Sequence, residues 1–277
     1  MSIIAAYMVP HPPLAVAEVG LGQEKMIQNS LDAYHAIAKE IAELKPETII
    51  LTSPHSIMYR DYFHISPGSM AKGDFSRFRA GRVKFQVSYD QELAEQISEL
   101  CRQADFPAGT MGERDPDLDH GTMVPLYFID QYYKDYKLIR SGLAGLSLKD
   151  HWEFGRLIRR AVDQTGRRTV FIASGDLSHC QKKDGPYGYR PEGPAYDARI
   201  MKVMEAADFP ALLDFDEGFL DQAMECGHRS FTIMGGALEE EQRSGRIRAR
   251  CLAHEATFGV GYGFCSFHIA DQQKEGA

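Results

Sequence analysis

The 277-residue sequence predicts an α/β fold: one domain spanning residues 1–277, with a central mixed, largely parallel sheet flanked by helices. Three observations predict it. Short apolar runs, closed by Pro, Ser or charged residues, alternate with stretches of helical periodicity, as buried parallel strands and their crossover helices do. The succession strand, helix, strand occurs once in each half of the chain. No linker, repeat or low-complexity segment divides the sequence, and 44% hydrophobic with 25% charged residues is an ordinary globular composition.

In chain order, Ile3 to Val9 is apolar, stops at Pro10 and reads as a strand. Glu24 to Leu44 places Met26, Leu31, Ile37, Ile41 and Leu44 at helical spacing, and Pro46 closes it. Thr48 to Thr52 (TIILT) is a second buried-type strand, so the chain opens as a βαβ unit. Extended segments follow near Tyr62 to Ile65 and Val83 to Tyr89, with Ser66 to Gly81 as loop. Asp90 to Ala104 begins acidic and aligns Leu93, Ile97 and Leu100, a surface helix. His120 falls in the polar stretch DPDLDHGT, read as loop before an apolar segment. Lys137 to Ser141, a helix over Leu148 to Gln164, and Arg168 to Ala173 repeat the opening pattern. Gly185 to Pro194, rich in Gly and Pro, reads as a loop that serves as a lid or subunit contact. Helical patterns occupy Ala195 to Ala207, Phe209 to Leu213 and Asp216 to Glu240, the last broken near Cys226, Gly227 and His228. Ile247 to Leu252 and Gly259 to Ile269 are closing strands, and the tail 271–277 is expected to fray.

Thirty-nine acidic against 31 basic residues leave a formal charge of −8, the wrong sign for a nucleic-acid or anionic-membrane partner. No stretch approaches the ~20 apolar residues of a membrane span, and MSIIAAYMVPHPP lacks the basic start of a signal peptide. A cytoplasmic protein acting on small molecules is the expectation. Cys101, Cys180, Cys226, Cys251 and Cys265 are odd in number, scattered and without a CxxC, which predicts reduced thiols rather than a disulfide framework or zinc ribbon.

His11, His55 and His179 each follow a predicted strand, and in open α/β sheets the site lies beyond the carboxyl ends of strands. These three imidazoles are therefore expected to converge, with His120 within reach. His35, His64, His151 and His268 fall on helix or strand faces and read as packing residues, while His228 and His254 stay open. Two imidazoles and one carboxylate on a face hold iron(II) and leave coordination positions free. Glu225, at the helix break AMECGHRSF, and Glu255, beside FGVGYGF, are the carboxylate candidates, Glu255 serving equally well in a structural ion pair.

Other motifs fail. GVGYGF precedes an extended run rather than a helix, so it is no dinucleotide fingerprint. SGDLSH offers Ser, Asp and His, but the chain has no GxSxG elbow and adjacent residues on a strand exit cannot form a triad. No GxxxxGK[ST] is present, and Tyr187, Tyr189 and Trp152 read as packing residues.

Taken together, PHPP (Pro10 to Pro13), SPHS (Ser53 to Ser56), DHGTMVPL (Asp119 to Leu126), ASGDLSH (Ala173 to His179), ECGHRSFTIMGGAL from Glu225, and HEATFGVGY resemble the class III extradiol ring-cleavage dioxygenases, the family of the LigB catalytic subunit. DGPYGYRPEGPAYD with ECGHRS is most similar to the LigB-like domain of AmmeMemoRadiSam system proteins, related to Memo. The resemblance covers nearly the whole chain, which ends where the dioxygenase-like domain ends. It implies Fe(II) held by His11, His55 and Glu225, with His179 as acid and base and His120 beside the substrate and oxygen sites. The implied reaction inserts O2 into a catechol-type or 2-aminophenol-type ring, in a homodimer or tetramer. Because a cysteine joins the metal site in the Memo branch, Cys226 and Cys180 keep zinc or copper as alternatives. The rival readings are a metal-dependent hydrolase with His179 as proton shuttle and a non-catalytic Memo-like module.

Overall fold

The computed structural model describes residues 3–270, so the fraying expected at 271–277 lies outside the described residues. The chain opens with β1 (Ile3–Val9), passes the short α1 (Ala17–Gly20) into α2 (Gln28–Leu44) and returns as β2 (Thr48–Thr52). There follow β3 (Phe63–His64), β4 (Met70–Phe75), β5 (Ala80–Ser88), α3 (Gln91–Gln103), β6 (Ala108–Gly109) and α4 (His120–Ile129). The second half contains β7 (Lys137–Ser141), α5 (Leu148–Thr165) and β8 (Thr169–Ser174). It continues through α6 (Glu192–Glu205), α7 (Glu217–Ala223), α8 (His228–Ala237) and α9 (Glu239–Arg243), and closes with the hairpin β9 (Ile247–Glu255) and β10 (Tyr262–Ile269).

The main sheet has the order β7-β2-β8-β1-β10-β9. Its first four strands are parallel, and β10 pairs antiparallel with both β1 and β9. β2 and β8 are buried at every residue, which is why they read as unbroken apolar runs rather than as alternation. Successive side chains serve opposite faces. Met8, Ile50 and Phe171 pack with Ile97 of α3, Ile158 of α5 and Phe231 of α8, whereas Tyr7, Ile49, Leu51 and Ile172 pack with Ile37 of α2 and Leu126 of α4. Each such aliphatic side chain taken from water contributes about 1.5–3 kcal/mol. Local signals set the helix ends: Asp90 caps α3, Ser147 and Asp150 form a capping box on α5, and Gly166 closes α5 in the left-handed region at φ 67°.

Several expectations change. β1 and β2 are not neighbours, because β8 lies between them. Residues 66–81 contain β4, paired antiparallel with β5 in a separate two-stranded ribbon. The helix expected from Glu24 begins as a 3-10 turn over Gln23–Ile27, and α2 proper starts at Gln28. The 185–194 loop ends early, since α6 takes up Glu192 to Pro194, and a proline in a first turn has no intrahelical donor to lose. Nor are all five thiols free. Cys251 on β9 and Cys265 on β10 form a disulfide across the hairpin, a pairing set by strand register that a spacing of 14 residues does not reveal. Among the described residues no helix is long and apolar enough to cross a membrane.

Candidate functional site

Because β2, β8 and β1 are parallel and adjacent in that order, their carboxyl ends open on one edge. His11 follows β1, His55 follows β2, and Ser174 and Asp176 emerge from β8 between them. The structure brings His11, His55 and His120 together. The Nε2 atoms of His11 and His55 are 3.0 Å apart, and the His120 ring lies 4.0 Å from that of His55 and 5.5 Å from that of His11. Cys226, in the turn between α7 and α8, places Sγ 3.7 Å from His11 Nε2. Donor atoms of His11, His55 and Cys226 all lie within 4.8 Å of one another.

The adjoining Glu225 is not in that group of three. Its Oε2 accepts the His228 backbone N–H at 2.6 Å at the start of α8. Burial pushes its pKa up to about 7, against the opposing pull of the His228 N–H and the Arg229 charge. Burial likewise raises the Cys226 thiol. The turn is held close to β8 by two glycines. A Cβ on Gly175 would lie 2.1 Å from Gly227 Cα, so the backbones flanking Asp176 and Cys226 touch only because both residues lack side chains.

A hydrogen-bond relay selects the tautomer of His11. Pro125 lies inside α4 and has no N–H to give to the Gly121 carbonyl one turn back. Ser174 Oγ donates to that carbonyl at 2.6 Å. With its proton committed there, Ser174 Oγ accepts from His11 Nδ1–H at 2.9 Å. His11 Nε2 therefore carries a lone pair, directed at His55 and Cys226. This is the orientation that an outer-shell partner imposes on a metal-binding histidine.

Two aspartates organise the surroundings. Asp119 caps α4 through Thr122 N and Oγ1 at 3.0 and 2.9 Å and accepts Ser53 Oγ at 2.6 Å, which fixes the loop of His55 against the helix that starts with His120. Asp176 accepts the His11 backbone N–H at 2.8 Å and lies 3.8 Å from His179 Nε2. Burial alone would raise the Asp176 pKa, yet His11 and His179 bring it down to about 2. Burial lowers His11, takes His55 to about 3 with help from His11 and His120, and takes His120 to about 4. All three are neutral imidazoles, the form that ligates metals. His179 is joined to the cluster through Asp176 rather than by direct contact, and its ring stacks on Tyr187 at 5.2 Å. Its backbone N–H donates to Met224 O at 3.2 Å, which ties its loop to the turn of Cys226.

His120 is thus the first residue of a helix, not part of a loop. That helix is buried nearly all round and interrupted by Pro125, so it shows no amphipathic period in the sequence. The pattern Asp119-x-x-Thr122 ahead of an apolar run was its available signal. The sequence reading missed Ser174, Asp176 and Asp119 as site residues. SGDLSH carries no triad, but its Ser and Asp serve His11. Among the described residues Glu255 makes no ion pair. Its Oε1 accepts Ser30 N and Oγ at 2.8 and 2.5 Å in the first turn of α2. His64, His151 and His268 bond to Met111 O, Ser147 O and Glu40, and His35 bonds to Tyr132 OH, all structural partners. His228 bonds to Leu212 O, and His254 to buried Asp197. Trp152 is buried in α5 as a packing residue.

A cavity of about 730 Å³ opens from His55 and His120 toward the β4–β5 ribbon, and Phe78 from that ribbon packs edge-on to His120 at 5.3 Å. The size is that of a site for a drug-sized molecule. The donor set of His11, His55 and Cys226 suits a transition metal: two imidazoles with available Nε2 atoms, and a thiol that coordination itself deprotonates.

The family model for the catalytic LigB subunit of aromatic ring-opening dioxygenase matches residues 5–265. A Clostridium acetobutylicum protein is 40% identical over 271 residues, covering 95% of this chain and 57% of that protein, so this chain spans little more than half of that relative. The 2-aminophenol 1,6-dioxygenase beta subunit of a Pseudomonas species is 24% identical, with 86% of each chain covered. A MEMO1 family protein of Pyrobaculum aerophilum is 27% identical over 79% of this chain and 69% of its own. Among solved structures, an uncharacterized protein of Escherichia coli K12 has the same fold, with a TM-score of 0.57 at 14% identity over 95% of this chain and 99% of that one.

Proposed function

Because this chain belongs to the family of the catalytic LigB subunit of aromatic ring-opening dioxygenases, we propose that it is a metal-dependent dioxygenase that inserts O2 into a catechol-type or 2-aminophenol-type ring and opens it. The observation that carries the reading is the convergence of His11, His55 and His120, of which His55 and His120 line a cavity large enough for a substituted ring. His11 and His55 would hold Fe(II), and the residue pair Glu225 and Cys226 would supply the third donor. Cys226 Sγ already lies with the two imidazoles, and Glu225 binds the His228 N–H through Oε2, which leaves Oε1 as its oxygen for a metal. Fe(II), when bound, supplies Lewis acidity toward the ring hydroxyls and a place for O2 to react.

The remaining work falls to the chain. Neutral His120 offers a hydrogen bond to the oxygen-bearing edge of the substrate. His179, oriented by Tyr187 and adjacent to Asp176, takes a ring-hydroxyl proton at its imidazole and returns it as the ring opens. The helices and the β4–β5 ribbon shield the ring from bulk water. Cytoplasmic residence and a homodimer or tetramer belong to the same proposal and rest on the family resemblance.

Cys226 favours a second reading. A thiolate beside two imidazoles suits zinc or copper, in a hydrolase with His179 as proton shuttle or in a binding module of the MEMO1 kind. Oxygen uptake separates the readings. Fe(II)-loaded protein, prepared anaerobically and given catechols and 2-aminophenols, is expected to consume O2 and form a yellow ring-opened product. His179→Ala should retain metal and turn over about 10² to 10⁴ times more slowly. Absence of uptake across the panel with iron bound would reject the dioxygenase, and full activity in His179→Ala would reject the role given to that residue.

A further inference from the structure

The Nε2 of His179 lies 3.8 Å from Asp176 Oδ2, longer than a hydrogen bond, so the direction of its ring depends on how the loop 177–181 is held. That loop is anchored along its length. Leu177 N–H donates to Gly261 O at 2.8 Å, Gly261 N–H to Ser178 O at 2.7 Å, His179 N–H to Met224 O at 3.2 Å and Gln181 N–H to Gly259 O at 3.1 Å. These bonds all join main chain to main chain. The Ser178 N–H, immediately before His179, instead donates to a side chain, Asp197 Oδ1, at 2.9 Å.

Asp197 comes from the second turn of α6 and is 1% exposed. Its other oxygen, Oδ2, lies 2.8 Å from His254 Nε2 on β9. A carboxylate only accepts, so that nitrogen carries the hydrogen. A Cβ on Gly261 would lie 2.0 Å from Oδ2, so the carboxylate fits against the start of β10 only because Gly261 has no side chain. Burial raises the Asp197 pKa, and the bond from His254 opposes that rise. A carboxylate withdrawn from water is costly unless its oxygens are bonded. Here they are divided between a backbone donor beside His179 and an imidazole whose side chain is 38% exposed. Asp197 ends the stretch DGPYGYRPEGPAYD and His254 begins HEATFGVGY, and neither residue belongs to the histidine cluster.

We propose that Asp197 and His254 are positioning residues for His179, His254 holding the Asp197 carboxylate and Asp197 holding the Ser178 N–H, so that the next residue presents its imidazole beside Asp176. This inference deepens the proposed function and rests on His179 being the proton carrier. It is the arrangement by which outer partners orient a working side chain, here carried through a peptide bond rather than through the ring itself.

Imidazole NMR of the intact chain labelled with 13C-histidine tests it, recorded without iron, whose paramagnetism would broaden the signals. The His179 peak is the one missing from His179→Ala, and those of His11 and His55 are assigned by substitution in the same way. Steady-state O2 uptake by Fe(II)-loaded protein with catechol is measured alongside. Asp197→Ala should displace the His179 peak and leave those of His11 and His55 in place, and should lower kcat by about 10- to 100-fold, the scale of a displacement near 1 Å, with KM within about twofold. Asp197→Asn keeps an oxygen for the Ser178 N–H and should restore both readouts. His254→Ala, a change at the surface, should move the same peak in the same direction by less, and it decides the matter should Asp197→Ala not fold. A His179 peak that stays put in every variant, equal movement of the His11 and His55 peaks, Asp197→Asn as damaging as Asp197→Ala, or a displaced peak at wild-type kcat would overturn the inference. A displaced His179 peak in a protein whose wild type consumes no O2 would refute the dioxygenase and leave the positioning standing. O2 uptake with an unmoved peak would do the reverse.

Discussion

Replacing Ser174 by Ala removes one oxygen and breaks the relay at its centre. Ser174 and His11 are both fully buried, so water does not replace what is lost. The Gly121 carbonyl loses its donor and His11 Nδ1 its acceptor. Two buried orphans at about 1–3 kcal/mol each place the stability cost at roughly 2–4 kcal/mol, allowing for some relaxation. The effect on metal is distinct. Without an acceptor at Nδ1, the imidazole proton is free to move to Nε2, the atom that faces His55 and Cys226. Loss of such an outer-shell partner typically weakens metal affinity ten- to a hundredfold, about 1.4–2.7 kcal/mol. Competition against a chromogenic chelator gives the affinity, and thermal unfolding with and without metal gives the stability. Ser174→Ala is expected to show a lowered Tm and a smaller rise of Tm on adding metal. An affinity within about twofold of wild type, with only Tm reduced, would refute the tautomer argument and leave Ser174 a packing residue.

The other predictions concern the same edge of the sheet. Cys226→Ala should lose bound metal while Glu225→Gln retains it, by elemental analysis of purified protein, because the thiol and not the carboxylate lies in the donor group; the opposite pattern would make Glu225 the third ligand. Gly175→Ala forces its backbone and that of Gly227 apart by about 1.3 Å to reach ordinary contact at 3.4 Å. Thermal melts and metal titration should both register it, at about 1–3 kcal/mol for such overpacking, and wild-type values in both would contradict the close approach. Glu255→Ala removes acceptors from Ser30 at the start of α2 and should cost about 1–2 kcal/mol with metal content unchanged; an emptied site would instead assign Glu255 to the metal.

Much of this protein is legible in the linear chain because its causes are local. β1, β2 and β7 match the expected strands residue for residue, since each is built around a short apolar core, and β1 and β2 stop where Pro10 and Ser53 begin. His11 and His55 were identifiable for the same reason, as residues one turn past such strands. What stayed hidden was decided by contacts between distant segments. Insertion of β8 between β1 and β2 places Ser174 against His11 across 163 positions, and the touching glycines bring Cys226 to His11 across 215. Pro125 acquires its meaning only when Ser174 fills the carbonyl it leaves open. Periodicity records which face of an element is buried but not what it is buried against. The choice between Glu225 and Cys226, two neighbours of one turn, depends on which side chain α8 claims for its own N-terminus.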